Sequence, residues 1–146
     1  IYGYGEERYA KRIAKGIVDA RQKKDIKTTF DLVEIIRASV PNSYNKGRIH
    51  PATKTFQAIR IAVNDELNTL EVGLKKSFDL LKKEGRIAGI TFHSLEDRIV
   101  KKFFKAQVER GEGKLLYKKP LGPSAQEVKE NPRSRSAKLR ILEKII

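Results

Sequence analysis

The stretch "ITFHSLEDRIVKKFF" sets His93, Ser94 and Asp97 within five positions. An imidazole, a hydroxyl and a carboxylate are the parts of a nucleophilic triad, in which the ring takes the hydroxyl proton and the carboxylate orients the ring. The spacing argues against that chemistry. A nucleophile elbow wants glycine two residues before and after the serine, and Phe92 and Glu96 stand there instead. Adjacent side chains on a strand also point to opposite faces, so His93 and Ser94 are badly placed to pair. Ser94 with Asp97 three residues on reads instead as the start of a helix, close to a capping box in which both groups satisfy unpaired N–H donors. His93 then stands at the carboxyl end of a strand, where open α/β sheets bind their ligands. A neutral imidazole there can stack on a base or hydrogen-bond to it, and Ser94 shares that rim.

Two other basic segments are candidates. "HPATKTFQAIR" sets His50 beside Lys54 and, further along the same helix, Arg60. "NPRSRSAKLR" offers Arg133, Arg135 and Lys138 with the hydroxyls of Ser134 and Ser136, a composition suited to phosphate contacts. The plainer readings are a solvated basic face and a polar connection. His50 and His93 are the only histidines and no carboxylate cluster accompanies them at ligand spacing, so no metal site is expected. "GYGEER" is a lone Gly-x-Gly without a preceding strand, not a dinucleotide fingerprint.

The elements that must hold these residues follow from periodicity. Glu6 to Gln22 reads as a helix with Glu6 and Glu7 in its first turn, and Gly16 weakens it slightly. "KTTFDLVEIIRASVP" gives a second helix, capped by Thr28 with Asp31 three residues on and stopped before Pro41. Its apolar stripe is Leu32, Ile35, Ile36 and Ser39 or Val40. "NSYNKGRIHPATK" is a loop, with Pro51 opening the next helix. From Phe56 through Ile59, Val63, Leu67, Leu70, Leu74, Phe78 and Leu81 one apolar face continues, best read as two helices broken near Asn64–Asp65. Gly85 ends the second of them. Ile87 to Phe92 then suits a buried parallel strand. A helix from Leu95 to Arg110 follows, with Ile99, Phe103 and Val108 or Phe104 inward. "GEGKLLYKKPLGPS" is turn, strand and turn, and "AQEVKENPRSRS" a short helix running into a basic loop. "AKLRILEKI" is a closing strand in which Leu139 and Ile141 alternate with Arg140. Helices followed by strand–helix–strand–strand make a helical lobe and one edge of an α/β sheet, which needs further strands to bury its faces.

Composition bounds the function. The 146 residues carry 32 Lys and Arg against 18 Asp and Glu, a net charge of +14. Residues 1–63 and 64–146 each contribute +7, so the excess is no detachable tail. Such a field draws polyanions, nucleic acid foremost. Without cysteine there are no disulfides, thiolate metal ligands or cysteine nucleophiles. No apolar run approaches a membrane span and no signal peptide opens the chain, so a cytoplasmic protein that needs no membrane is expected. With no methionine anywhere, "IYGYGEER" reads as an interior segment that something precedes.

"YGEERYAKRIA", "HPATKTFQAIRIAVNDEL", "GRIAGITFHSLEDRIVKKFF" and "NPRSRSAKLR", in that order, resemble the bacterial 16S ribosomal RNA (cytosine-N4)-methyltransferases through nearly the whole chain. The resemblance implies an α/β chain: residues 1–63 as most of an inserted helical lobe, and 64–146 as the C-terminal part of a Rossmann-like S-adenosylmethionine domain. It also implies 16S RNA in the small ribosomal subunit as partner. The family's glycine-rich cofactor loop and its acidic motifs have no counterpart here, so no cofactor-binding residue is expected in this chain. A different class stays open: a non-catalytic RNA- or ribosome-binding module.

Overall fold

The computed structural model describes residues 1–47 and 49–146, which divide into two compact units, Ile1–Glu66 and Leu67–Ile146. Arg48, inside the expected 42–54 loop, lies outside the described residues.

The first unit is helical: α1 (Tyr2–Gly5), α2 (Ala10–Lys23), α3 (Thr29–Ser39), α4 (Asn42–Asn45) and α5 (Thr53–Asn64). The expected helix from Glu6 starts later, and α2 has no acid in its first turn. Glu6 instead takes a left-handed conformation (φ 47) that closes α1, and Glu7 is wholly buried. Helix α3 opens on the expected capping box, with Thr28 Oγ1 accepting from Asp31 N–H at 3.1 Å and Asp31 Oδ2 from Thr28 N–H at 2.9 Å. The connection after Pro41 is not all loop, since α4 forms within it, and Pro51 precedes α5 rather than lying in its first turn.

The expected break is present, with Asp65 left-handed (φ 49) between α5 and α6 (Glu66–Leu80). The buried face of α5, however, is Thr55, Ala58 and Ile61, while Ile59 and Val63 are exposed. The cause is α1, which packs on α5 so closely that a side chain on Gly5 would lie 2.6 Å from the Lys54 carbonyl oxygen. Only glycine and small neighbours fit there, and that choice turns Ile59 and Val63 outward. Ile13, Ile36, Val40 and Ala52 form the core, with Phe56 and Leu32 packed on it.

In the second unit α6 is followed by β1 (Arg86–Thr91), α7 (Ser94–Glu109), β2 (Gly113–Leu115), α8 (Ala125–Glu130), a 3-10 turn (Pro132–Ser136) and β3 (Lys138–Lys144). The expected basic loop is therefore that ordered 3-10 turn. Helix α6 stops at Leu80, and the left-handed residue that reverses the chain is Glu84 (φ 66) rather than Gly85. Strand order is β1-β3-β2 with both pairings antiparallel. β1 is thus an edge strand with alternating burial, not a buried parallel one: Ile87, Gly89 and Thr91 face α7, while Ile90 on the other face is 61% exposed. Gly89 lets α7 approach the sheet, since a Cβ there would lie 3.1 Å from Val100. In β3 the buried residue is Leu142, opposite Ile87, so the core side carries Arg140 and Leu142 rather than Leu139 and Ile141. Helix α7 buries Leu95, Val100, Phe104 and Gln107, with Ile99 and Phe103 half-buried and Val108 exposed. Leu74, Phe78, Val100, Phe104 and Leu142 make this unit's core. Among the described residues no helix is long and apolar enough to cross a membrane.

Candidate functional site: a basic cleft and a capped strand end

Glu7 organises the helical unit's cleft. Its side-chain oxygens accept from Tyr9 N–H (2.8 Å) and from the Tyr44 hydroxyl (2.6 Å), so a wholly buried acidic side chain is satisfied by neutral donors. Burial first, and the Glu7 hydrogen bond next, push the Tyr44 phenol up to about 12. Tyr9 and Tyr44 meet edge to face at 4.9 Å, and the Arg8 guanidinium lies 4.8 and 4.9 Å from their ring centres. Stacked there, Arg8 keeps its charge at the surface.

Arg8, Ser43, Tyr44, Ile49, His50 and Lys54 line a cleft of about 500 Å³ in this unit, with no carboxylate in its wall among the described residues. His50 Nδ1 accepts from Ala52 N–H at 3.3 Å, which assigns the ring proton of the neutral form to Nε2. Lys54 Nζ donates to the Glu6 carbonyl at 3.0 Å, holding the ammonium beside the cleft. His50 and Lys54 are therefore brought together, as the spacing implied. Arg60 is not with them. Its guanidinium is held by Glu66 in a two-point ion pair, Nε–Oε1 2.7 Å and Nη2–Oε2 3.1 Å. Arg8 and Tyr44 were missed because their partnership with Glu7 spans 37 residues of sequence, and the only local cue was tyrosine and arginine side by side at Arg8–Tyr9.

At the end of β1 the cap is His93, not Ser94. His93 Nδ1 accepts from Glu96 N–H at 3.4 Å, a long bond, and Glu96 Oε2 accepts from Phe92 N–H at 2.8 Å and His93 N–H at 3.3 Å. Ser94 is the first helical residue, exposed to solvent. The reason is geometric. Residue 93 still has extended backbone (φ −141, ψ 169), as a cap requires, and Glu96 has the longer side chain needed to reach back. The ring's Nε2 lies 3.1 Å from Glu96 Oε1, out of line for a hydrogen bond, and is buried.

Asp97 is thereby freed from capping. Its carboxylate takes Arg140 Nε at 2.8 Å and Nη2 at 3.2 Å, and Lys138 Nζ at 3.3 Å. The Arg140 bonds above all, then Lys138, hold Asp97 below the usual carboxylate range against the opposing effect of burial. This pair ties the start of α7 to β3. Pairing of Thr91 with Lys138 sets the 3-10 turn carrying Arg133 and Arg135 at the same end of the sheet as His93. Both arginines lie on an exposed turn. Ser134 does not join them: it is buried and its hydroxyl donates to the Asn131 carbonyl.

The sheet unit also tests for a methyl-donor site. Between β1 and α7 the strand-to-helix N–H groups already serve the chain's own Glu96 carboxylate, and no glycine lies in that turn. The residues present do not fit a nucleoside donor there.

The sequence pattern of the MraW methylase family matches residues 1–145. Among curated proteins the chain is 53% identical over 99% of its length to the ribosomal RNA small subunit methyltransferase H of Persephonella marina, of which it covers 50%. It is 54% identical, again over 99% of the chain, to the proteins of that name from Coprothermobacter proteolyticus (47% covered) and from the Wolbachia of Brugia malayi (44% covered). The chain thus spans about half the length of the curated relatives it matches.

Proposed function

Because this chain belongs to the MraW methylase family, we propose that the whole protein transfers a methyl group from S-adenosylmethionine to N4 of a cytosine in small-subunit ribosomal RNA. The relatives' shared name supports the rRNA substrate. On this reading, residues 1–63 belong to an inserted helical lobe that grips RNA, and 64–146 close a Rossmann-like sheet whose other strands join the free edge of β1. The observation that carries the RNA role is the cleft of Arg8, His50 and Lys54, without a carboxylate in its wall among the described residues, in a chain of net charge +14.

The exocyclic amine of cytosine is a weak nucleophile, its lone pair drawn into the ring, so orientation supplies much of the acceleration. The base must leave its stack to be reached. The part that falls to this chain is to hold the surrounding phosphates and to place the strand end. Arg8, His50 and Lys54 supply the first, and the Asp97–Arg140 pair with the His93–Glu96 cap supplies the second. Donor chemistry is assigned to the remainder of the protein, because the turn from β1 to α7 is filled by Glu96.

The test is incubation of the full-length protein with small-subunit particles and a labelled methyl donor, followed by nucleoside analysis. N4-methylcytosine is expected, falling at least ten-fold in the Arg8→Gln/Lys54→Gln double variant at unchanged melting temperature. Label in another base, or full activity of that variant, would overturn the reading.

A further inference from the structure

A second cavity, of about 480 Å³, lies wholly in the sheet unit between α6 and α7. That volume falls in the range of about 300–1,000 Å³ that ligand clefts occupy. Helix spacing orders its α7 wall in two ridges: Arg98, Lys102 and Arg110 on one, and Ile99, Phe103 and Gln107 beside them. The α6 wall presents Glu71, Lys75 and Asp79 above Phe78. Phe78 and Phe103 meet edge to face at 6.0 Å and make an aromatic floor. Gln107 is only 5% exposed, yet its Oε1 is buried without a hydrogen-bond partner among the described residues. Such an acceptor costs stability when left unmet, and most native ones are met.

We propose that this groove binds one unpaired, amine-bearing nucleotide of RNA, an adenine or a cytosine. The base lies on Phe103 and Ile99, its exocyclic amine donates to Gln107 Oε1, and its phosphate faces Lys102 and Arg110. The charges suit such a ligand: Arg98, Lys102 and Arg110 on the α7 wall face the phosphate, while Glu71 and Asp79, with Lys75 between them on the α6 wall, favour the amine edge, and Glu112 adds a carboxylate at the Arg110 end. Aromatic stacking tolerates any base, so the amine bond supplies the selectivity. The groove is separate from the cleft around His50, and the proposal rests on the RNA reading only in its choice of a nucleotide as occupant.

The experiment uses full-length protein labelled with ¹⁵N-glutamine, the Gln107 side-chain signal being identified by its loss in Gln107→Leu. Adenosine 5′-monophosphate should move that signal, inorganic phosphate should not, and purine riboside 5′-monophosphate, which lacks the amine, should bind about ten-fold more weakly, the worth of one such bond. In Gln107→Leu, followed by ¹⁵N-lysine signals, the two nucleotides should bind equally, and Lys102→Ala should weaken both alike. Equal binding of the two nucleotides by the unaltered protein would overturn the proposal. So would a Gln107 signal moved by N-acetylarginine amide and not by nucleotide, which would give the groove to a protein partner. Because no methyl transfer is read, failure of the groove and failure of the rRNA reaction are seen separately.

Discussion

Each unit is organised around a carboxylate, buried Glu7 in one and half-buried Asp97 in the other, and the two are satisfied in opposite ways. Glu7 of the helical unit takes a phenol and a backbone N–H, whereas Asp97 of the sheet unit takes Arg140 and Lys138. The consequence lies in the cations. Around Glu7 the neighbouring Arg8 is stacked on tyrosines and left to face the cleft, so the helical unit keeps its positive field outward. Around Asp97, Arg140 is turned inward and fastens α7 to β3, while the half-exposed Lys138 adds a second contact. One carboxylate leaves its neighbouring cation facing a cleft and the other builds a joint.

The comparison breaks most readily at Asp97. Arg140 and Asp97 are 12% and 13% exposed, so Asp97→Ala strands a nearly buried guanidinium and should cost about 3–5 kcal/mol, measured by urea unfolding. Glu7→Gln keeps an acceptor for Tyr9 N–H and Tyr44 and should cost about 1–2 kcal/mol. Equal losses would show that the two carboxylates are anchored alike.

The pH dependence should sharpen the contrast. Asp97 is depressed in the folded state, so its stabilisation is complete above its unfolded value of about 3.9 and disappears as pH falls through its lower folded value. Tyr44 is raised, so its stabilisation is complete below 10.0 and is lost as pH climbs toward about 12. Hydrogen exchange should therefore find the sheet unit loosening at the acid end and the helical unit at the alkaline end. Loss of both units at one end only would contradict the scheme.

Caps give a smaller effect. His93→Ala should lower stability by about 1 kcal/mol, as should Thr28→Ala at the start of α3, while Ser94→Ala should stay within about 0.5 kcal/mol. Thermal melts of the three variants decide which residue starts α7. Smallest is the change at the exposed turn: Arg133→Ala/Arg135→Ala should leave the melt unmoved and flatten the dependence of RNA affinity on salt, and an unchanged slope would leave that turn a connection only.

Much of this was legible locally. Thr28 and Asp31 carry their capping box within four residues, Asn64–Asp65 interrupts a long period, and the apolar run from Ile87 to Phe92 and the alternation in "AKLRILEKI" read as strands, within a residue of β1 and β3. What escaped depends on distant neighbours. His93-x-x-Glu96 and Ser94-x-x-Asp97 are both cap spacings, and the more usual cap residue was the wrong one because Asp97 is claimed by Arg140, 43 residues away. The buried face of α5 was set by Gly5, and the central place of β3 by pairings on both its edges. Of the site, His50 and Lys54 were readable from spacing, whereas the Glu7–Tyr44–Arg8 assembly that shapes their cleft was not.

The central claim is that the helical unit presents its cations to RNA phosphates. Its most direct measurement is the salt dependence of binding between the full-length protein and a small-subunit rRNA segment, with and without Arg8→Gln and Lys54→Gln. Removing two cations that each neutralise a phosphate should reduce the slope of log affinity against log salt by about 1.4–1.8, with the fold intact by circular dichroism. An identical slope and affinity in the double variant would contradict the account.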